Sequence, residues 1–420
     1  MIGSKLSFWG SAVMLFLFMQ VIYGTYGIPF NYAFLAFAVV AVLMAGGQWK
    51  YDYKSMLFVG AILLSILGNE IPYFFKPWQR FGLFATLIVG CSPLLGGDKI
   101  NKARRALFMG SLWAVAAITV WSFIGRFTGQ GQYIWGIVNG YMGVTGHPNF
   151  LGFFVMIAMV WMAALFFRCT EMKERLIVGS VWVMCLVVIL LTASRTSAAC
   201  GLIGTVVAVY LRLKESAGNL VTIYAVLVGL AIFSWPVIAP YTEAMMKKNM
   251  DFDNADTMIA SSRGAIWELR YSEIDESPWI GVGAYSCDIH LPNAEVFFDS
   301  NNGSIELGSS YLGLMSQCGW LGFLAFMWIL VSIGRKAWKY ATVQRTPYAQ
   351  LMFSLCVALG AHMVFEGYAM TAGAIQCVIL WLVIGAADQC DTVADYPVAW
   401  EKEDPITPEE YVAWRDAKGS

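Results

Sequence analysis

The chain has 420 residues, of which 58% are hydrophobic and only 13% are charged, and its mean hydropathy is +0.61. About a quarter of the residues of a soluble domain are charged, so this composition excludes a soluble globular protein and indicates a polytopic membrane protein. The 27 Lys and Arg residues are balanced by 28 Asp and Glu residues. The chain therefore has no overall positive field that would favour nucleic acid as a partner.

Apolar runs of sufficient length recur along the whole chain. A helix needs about 20 mostly apolar residues to cross the hydrocarbon core of a bilayer, and twelve runs near that length predict an all-α fold with about twelve transmembrane helices. No small-residue cleavage site follows the first run, so we expect it to be a retained span and not a signal peptide. The runs lie near 6–23, 28–46, 55–70, 80–96, 106–124, 149–167, 176–193, 197–211, 219–239, 311–333, 351–367 and 370–387.

The distribution of Lys and Arg between the loops predicts the orientation of these spans. Sixteen basic residues fall before the first run and in alternate loops, and eight fall in the opposite set. Because basic residues near span ends are retained in the cytoplasm, both termini are predicted to be cytoplasmic. The predicted organisation is nine spans in 1–239, a large outward loop in 240–310, three spans in 311–387 and an acidic tail in 388–420.

The sequence contains no motif that is typical of a metal or cofactor site. The three histidines are scattered, the cysteines lack CxxC spacing, and no phosphate loop or dinucleotide fingerprint is present, so we predict neither a metal nor a cofactor. Cys287 is the only cysteine of the outward loop, which leaves it without a disulfide partner there. In the tail, Thr407-Pro408-Glu409-Glu410 is typical of a capped helix start.

Arg195 is the most informative single residue. It lies in Thr192-Ala193-Ser194-Arg195-Thr196, a short polar break between two apolar runs at the predicted outer boundary of the membrane. An arginine near a span end often only extends its side chain to the interface, but the hydroxyl residues around it favour a polar cavity. A guanidinium group binds phosphate through two parallel hydrogen bonds, so this position suits an anionic ligand.

A second arginine cluster lies in the outward loop, which carries twelve acidic residues against four basic ones between Glu243 and Glu306. The sequence predicts a helix from about 263 to 275, ended by Ser277-Pro278. Seven residues are nearly two helical turns, so Arg263 and Arg270 share one face. These arginines are solvated, paired with neighbouring carboxylates, or reserved for a strongly anionic ligand.

Other motifs are less specific. Gly281-Val282-Gly283 allows a tight turn or a close backbone approach, and the segment from Ser310-Tyr311-Leu312 to Gly319 and Gly322 reads as a helix cap followed by small residues at a helix contact. Asn149 of His147-Pro148-Asn149 is predicted to cap the sixth span. His362 and Glu366 are four residues apart, which would let them face one another on a helix.

In this order, the segments resemble the O-antigen ligase and O-antigen polymerase superfamily of bacterial envelope glycan enzymes. The resemblance rests on the Arg195 break, the large outward loop, the Arg263 helix with its glycine turn, and the glycines of the following span, and it is strongest over about 145–335. It implies a fold resembling the glycosyltransferase C class. It also implies that a glycan is transferred from undecaprenyl diphosphate to an acceptor hydroxyl, without a required metal, at the outer face of the bacterial inner membrane.

The resemblance implies that Arg195 and Arg263 hold the diphosphate, and Arg270 is added to them because it shares the face of Arg263. The expected partners are the undecaprenyl-diphosphate-linked glycan and the lipid bilayer, with a chain-length regulator or another glycan assembly protein as a further candidate.

The chain departs from the ligase pattern at one place. Ligases typically carry a His-Asn-like pair where this chain has Gly308-Ser309, counting back from Gly319. The missing histidine favours a polymerase of O-antigen or exopolysaccharide repeat units, with the ligase as the alternative. Glu306 and His290 are candidates for the catalytic base, and each is equally typical of a solvated loop residue.

A transporter or flippase is the alternative from another class, since it also needs about twelve spans with polar residues inside them. Such proteins tend to show internal repeats with matched interrupted helices, and the sequence shows no such symmetry. A structural scaffold is a further alternative.

Overall fold

The computed structural model describes residues 50–129, 132–133, 140–213, 263–291, 294–371, 373–395 and 407–418. These residues are mostly helical, as expected for an all-α membrane protein. The helices are α1 Tyr53–Leu67, α2 Pro77–Cys91, α3 Asp98–Thr128, α4 Pro148–Phe166, α5 Met172–Leu191, α6 Arg195–Leu213, α7 Gly264–Glu276, α8 Ser310–Lys339, α9 Pro347–His362, α10 Ile375–Ala387 and α11 Pro408–Lys418.

The remaining regular elements are short. Two 3-10 turns and one π-helical turn lie at Tyr73–Phe75, Ala294–Val296 and Tyr340–Gln344. Three antiparallel pairs of strands close loops: β1 Lys50–Tyr51 with β2 Leu95–Gly96, β3 Gln132–Tyr133 with β4 Tyr141–Gly143, and β5 Phe298–Asp299 with β6 Ser304–Ile305. Their registers pair Lys50 with Gly96, Gln132 with Gly143, and Phe298 with Ile305.

Five helical stretches of the described residues are long and apolar enough to cross a membrane, namely α3, α4, α5, α6, and α8 together with its π-helical turn. Helices α1 and α10 are apolar but shorter. Nine of the twelve predicted runs overlap a helix, and the runs at 6–23, 28–46 and 219–239 lie outside the described residues. An all-α membrane protein is thus confirmed, and the count of twelve spans stays a prediction.

Helix α4 lies at the centre of the bundle and packs against α3, α5, α6 and α9. Every residue in 151–160 is buried. The helix is apolar on all sides and contains no charged residue, which is the pattern of a helix surrounded by other helices. It begins at Pro148, and the side chain of His147 accepts a hydrogen bond from the backbone N–H of Asn149. The prediction that Asn149 is the cap is therefore wrong, because the cap is His147 and the helix starts at Pro148.

Helix α8 is interrupted at Gly319, whose φ of 62° and ψ of −169° are not helical. The break removes intrahelical acceptors from the amides that follow it. The loop after α7 supplies replacements: the N–H of Trp320 donates to the carbonyl of Pro278 at 2.8 Å, and the N–H of Leu321 donates to the carbonyl of Trp279 at 3.3 Å. Backbone groups within a bilayer must be paired. The carbonyl groups of the loop therefore replace the acceptors that the break removes from α8.

Carbonyl groups on the other side of the break are also paired. The carbonyl of Ser316 accepts from the N–H of Val282 at 2.9 Å. The carbonyl of Gln317 accepts from the hydroxyl of Ser65, on α1, at 2.6 Å. The break is therefore a junction of three segments: α8, α1 and the loop after α7.

The two glycine motifs of the sequence pack directly against one another at this junction. Gly281 has a φ of +72°, and a Cβ atom there would overlap the backbone of Gln317 and Cys318. A Cβ atom on Gly319 would overlap the backbone of Trp279 and Ile280. Both glycines are required because the two backbones touch without side chains between them.

The acidic tail contains the capped helix that its sequence predicts. The backbone N–H of Thr407 donates to the Glu410 carboxylate at 2.8 Å, and the Glu410 N–H donates to the Thr407 hydroxyl at 3.3 Å. These reciprocal bonds form a capping box at the start of α11.

We predict that Gly319→Ala destabilises the protein by at least about 2 kcal/mol. The φ and ψ of Gly319 lie in a region that is essentially restricted to glycine and costs other residues about 1–3 kcal/mol, and the new methyl group would also push Trp279 away. Thermal unfolding of the purified protein in detergent checks this. Gly334→Ala, in the same helix with open space around its Cβ position, is the matched control and should leave the melting temperature unchanged or raise it. Equal melting temperatures for the two variants would contradict the interpretation of the junction.

Candidate active site

Arg195 is the first residue of α6 and follows a three-residue reversal from α5. The reversal places Ala193 at a φ of +52°. The buried Thr192 hydroxyl accepts from the Ser194 N–H at 3.2 Å and donates to the carbonyl of Ile189 at 2.7 Å, so it stabilises the turn. The Arg195 side chain is exposed, at the end of α6 where the helix dipole also favours anions.

A chain of buried polar side chains connects this reversal to α9. The Ser194 hydroxyl donates to the Ser197 hydroxyl at 2.9 Å, and the Ser197 oxygen lies 3.1 Å from Nε2 of His362. Nδ1 of His362 lies 3.3 Å from the hydroxyl of Tyr368. Buried polar groups of this kind fix the relative position of their helices, so the Arg195 break and the end of α9 are held together.

His362 and Glu366 do not face one another on a helix, and that prediction is wrong. Helix α9 ends at His362, and the chain turns so that the Glu366 N–H still bonds the His362 carbonyl at 3.1 Å. The two side chains then separate, with His362 binding Ser197 and Glu366 binding Arg263.

Arg263 immediately precedes α7, and its Nη2 lies 2.6 Å from Oε1 of Glu366. The two side chains are 27% and 24% exposed, so a ligand can reach them from one side. The guanidinium carbon lies 6.0 Å from the centroid of the Phe365 ring, on which Trp267 also stacks at 6.2 Å. Nη1 of Arg263 is buried and has no hydrogen-bond partner within the described part of the chain. This nitrogen is a buried donor that no described residue satisfies.

Glu366 lies in the turn beyond α9, outside the helical span. Burial raises the pKa of its carboxyl group, the Arg263 charge lowers it, and the Glu306 carboxylate raises it, with burial the largest effect. The charges of Arg263 and Glu306 therefore both act on Glu366, in opposite directions.

Arg270 is completely buried, unlike Arg263. Its Nη1 lies 2.5 Å from the Glu273 carboxylate, which also accepts from the hydroxyl of Ser316 on α8 at 2.5 Å. Its Nη2 donates to the carbonyl of Glu306 at 3.2 Å. The guanidinium group thus fastens α7 onto α8. The i,i+3 spacing of Arg270 and Glu273 was a signal for this pair that the sequence analysis did not use.

The two candidate bases lie at different distances from Arg263. Glu306 is exposed and close enough to affect the pKa of Glu366. The His290 N–H donates to the Asp288 carboxylate at 2.8 Å, and its ring influences Glu276 at the opposite end of α7. A helix of this length separates its two ends by about 20 Å at 1.5 Å per residue, so of the two only Glu306 lies near Arg263.

The place where ligases carry a histidine is occupied in this chain by a glycine with a positive φ and by a serine that caps α8. Gly308 has a φ of +67°, and a Cβ atom on it would lie 2.8 Å from Cγ2 of Ile266. Ser309 is buried, and its hydroxyl caps α8 by accepting from the N–H of Leu312 at 3.4 Å. Neither position presents a base to a ligand.

Comparison with protein families identifies this region. Residues 180–327 match the family described as O-antigen ligase, a segment that includes the Arg195 break, α7 and the first half of α8. Over this segment the chain is similar to the O-antigen ligase family, and the match supports membership of the O-antigen ligase and polymerase superfamily. The resemblance in the sequence is thus confirmed. Superfamily membership indicates a glycosyltransferase-like enzyme of the O-antigen ligase or polymerase type, acting on lipid-linked glycans in a bacterial membrane.

Other comparisons add little to the O-antigen ligase match. No curated protein matches the chain. A solved structure described as showing structural coordination of polymerization and crosslinking by a peptidoglycan synthase complex aligns with a TM-score of 0.38 and 16% identity, over 81% of this chain and 98% of that chain. A likeness of this size supports no conclusion about fold or function.

We predict that Glu273→Ala destabilises the protein by about 3–5 kcal/mol, because it leaves the buried guanidinium of Arg270 without its counter-charge. Thermal unfolding in detergent measures the loss. Glu268→Ala is the matched control, since Glu268 is exposed on the same helix and should change stability by no more than about 0.5 kcal/mol. A similar effect of both substitutions would contradict the role of the buried pair.

Proposed function

We propose that this protein polymerises polysaccharide repeat units carried on undecaprenyl diphosphate, as an O-antigen or exopolysaccharide polymerase. The reaction takes place at the periplasmic face of the inner membrane. Both termini are then cytoplasmic, and the loop 240–310 covers a cavity open to the outer leaflet in a bundle of about twelve spans. The prenyl tail of the donor stays in the bilayer while its diphosphate reaches the arginines.

The observation that carries this proposal is the exposure and the hydrogen bonding of the Arg263 side chain. Its guanidinium is partly exposed, and its Nη1 has no partner within the described residues. Arg195 begins α6 at the same end of the bundle, to which Ser197 and His362 tie the turn containing Glu366. Two guanidinium groups suit the two phosphates of a lipid diphosphate, and they stabilise the negative charge that builds on it as a leaving group. Arg270 has a positioning role in this proposal, since its guanidinium is buried in the pair with Glu273.

The choice of polymerase over ligase is supported by the residues Gly308-Ser309. A side chain at 308 would meet Ile266 and would have to adopt a φ of +67°, and the hydroxyl of Ser309 caps a helix, so both positions have structural roles in this chain. Transfer to a lipid A-core or another acceptor, as in a ligase, is the second candidate because the matched family is described as O-antigen ligase.

We predict that Arg195→Lys and Arg263→Lys each lower glycan polymerisation at least about 10-fold, because an ammonium group keeps the charge but loses the two parallel hydrogen bonds. The assay is the length of surface glycan on a gel, in a deletion strain complemented with each variant. Arg212→Lys is the matched control, since Arg212 lies in the last turn of α6, at the end opposite Arg195. Normal glycan in Arg195→Lys and in Arg195→Ala would remove Arg195 from the site.

The deletion strain itself separates the candidate functions. We expect glycan reduced to single repeat units on its normal acceptor, as for a polymerase. Full-length polymer that stays on undecaprenyl diphosphate beside a bare acceptor would indicate a ligase. An unchanged glycan pattern would contradict both enzymatic proposals for this glycan and favour a transporter or a role in a different glycan.

A further inference from the structure

We propose that Glu366 is the catalytic base of this enzyme, and that the arriving lipid diphosphate releases it for this role by taking Arg263 away from it. The inference rests on the proposed glycosyl transfer and adds a residue that lies beyond the segment 180–327 of the family match.

The geometry makes the carboxylate and the diphosphate competitors for one guanidinium. Nη2 of Arg263 is bound to Oε1 of Glu366 at 2.6 Å, while Nη1 has no partner among the described residues. A phosphate that approaches the exposed side of this ion pair meets the guanidinium group beside its bond to Glu366. It completes its two parallel hydrogen bonds only by displacing that carboxylate from Nη2.

Displacement makes Glu366 a stronger base. The positive charge of Arg263 lowers the pKa of this carboxyl group, whereas burial and the charge of Glu306 raise it. When Arg263 turns to the diphosphate, only the two raising effects remain, so the affinity of Glu366 for a proton increases. The base therefore becomes active only when a donor is bound, which protects the empty site from unproductive proton uptake.

The backbone of Glu366 is held firmly during this exchange. The hydroxyl of Ser310, at the start of α8, donates to the Glu366 carbonyl at 2.6 Å, and the Ser310 N–H donates to the same oxygen at 3.0 Å. The hydroxyl of Ser310 also accepts from the N–H of Tyr368 at 3.0 Å. Glu306, in contrast, is an exposed residue of the outer loop. A base that must meet one hydroxyl group is better placed on the anchored turn.

The oxygen of the acceptor hydroxyl forms a bond to the anomeric carbon of the donor sugar, and its proton passes to the carboxylate of Glu366. The bond between the anomeric carbon and the phosphate oxygen breaks, and its electron pair leaves with undecaprenyl diphosphate, whose charge Arg263 and Arg195 stabilise. Glu366 returns its proton to water when the carrier departs and Arg263 pairs with it again.

The test compares Glu366→Gln with the wild type in two measurements. We expect Glu366→Gln to lower polymerisation about 10²–10⁴-fold, the usual contribution of a general base, measured by glycan length in the complemented deletion strain. We also expect the purified full-length variant in nanodiscs to bind radiolabelled undecaprenyl diphosphate several-fold more tightly, because the neutral amide competes less for Arg263. Slow transfer with tighter binding cannot arise from a misfolded protein.

Control variants make the outcomes decisive. Glu268→Gln, on the exposed side of α7, should leave both measurements unchanged, and Glu306→Gln should lower polymerisation less than Glu366→Gln. The inference is overturned if Glu366→Gln polymerises normally, if it loses binding and transfer together, or if Glu306→Gln has the larger defect. Failure of the proposed function is seen separately, as unaltered glycan in the deletion strain without any variant. If the deletion strain has unaltered glycan, the binding measurement still tests the displacement of Glu366 from Arg263. Binding of the carrier by Glu366→Gln that is no tighter than by the wild type would overturn it.

Discussion

The interruption of α8 at Gly319 is the constraint on which the rest of the site depends. A helix break inside a bilayer leaves polar backbone groups that lipid cannot satisfy, and here the segment from Pro278 to Val282 satisfies them. The loop after α7 is therefore an integral part of the helical bundle. Since α7 leads directly into this segment, the break also fixes the place of α7, which contains Arg270 and follows Arg263.

A second connection determines how α7 lies on α8. The buried pair of Arg270 and Glu273 binds Ser316, three residues before the break. Burying two charges is favourable only when their remaining groups are well bonded, and Glu273 meets this condition by also accepting from the N–H of Asp288 at 2.8 Å. Arg270, within α7, and Arg263, directly before it, thus have different surroundings: Arg270 is enclosed, and Arg263 is partly exposed.

The candidate site combines three segments that are distant in the sequence. Arg195 begins α6, Arg263 precedes α7, and Glu366 follows α9. Contacts between Ser197 and His362 and between Arg263 and Glu366 bring these segments to one end of the bundle. A cation that is already paired can exchange one anion for another and keep an anionic partner throughout. This property suits the proposed site, where a charged lipid head group would arrive and leave repeatedly.

The sequence by itself determined the helical membrane fold, the position of α7 and the capping box of α11, because long apolar runs, helix periodicity and caps are local properties of the chain. It also located Arg195 and Arg263 as unusual cations. Only the tertiary structure decided that Arg263 pairs with Glu366, 103 residues away, that Arg270 is enclosed, and that Gly281 packs against the α8 break at Gly319. These outcomes depend on which helix faces meet, and spacing along one segment carries no information about the partner that another segment supplies.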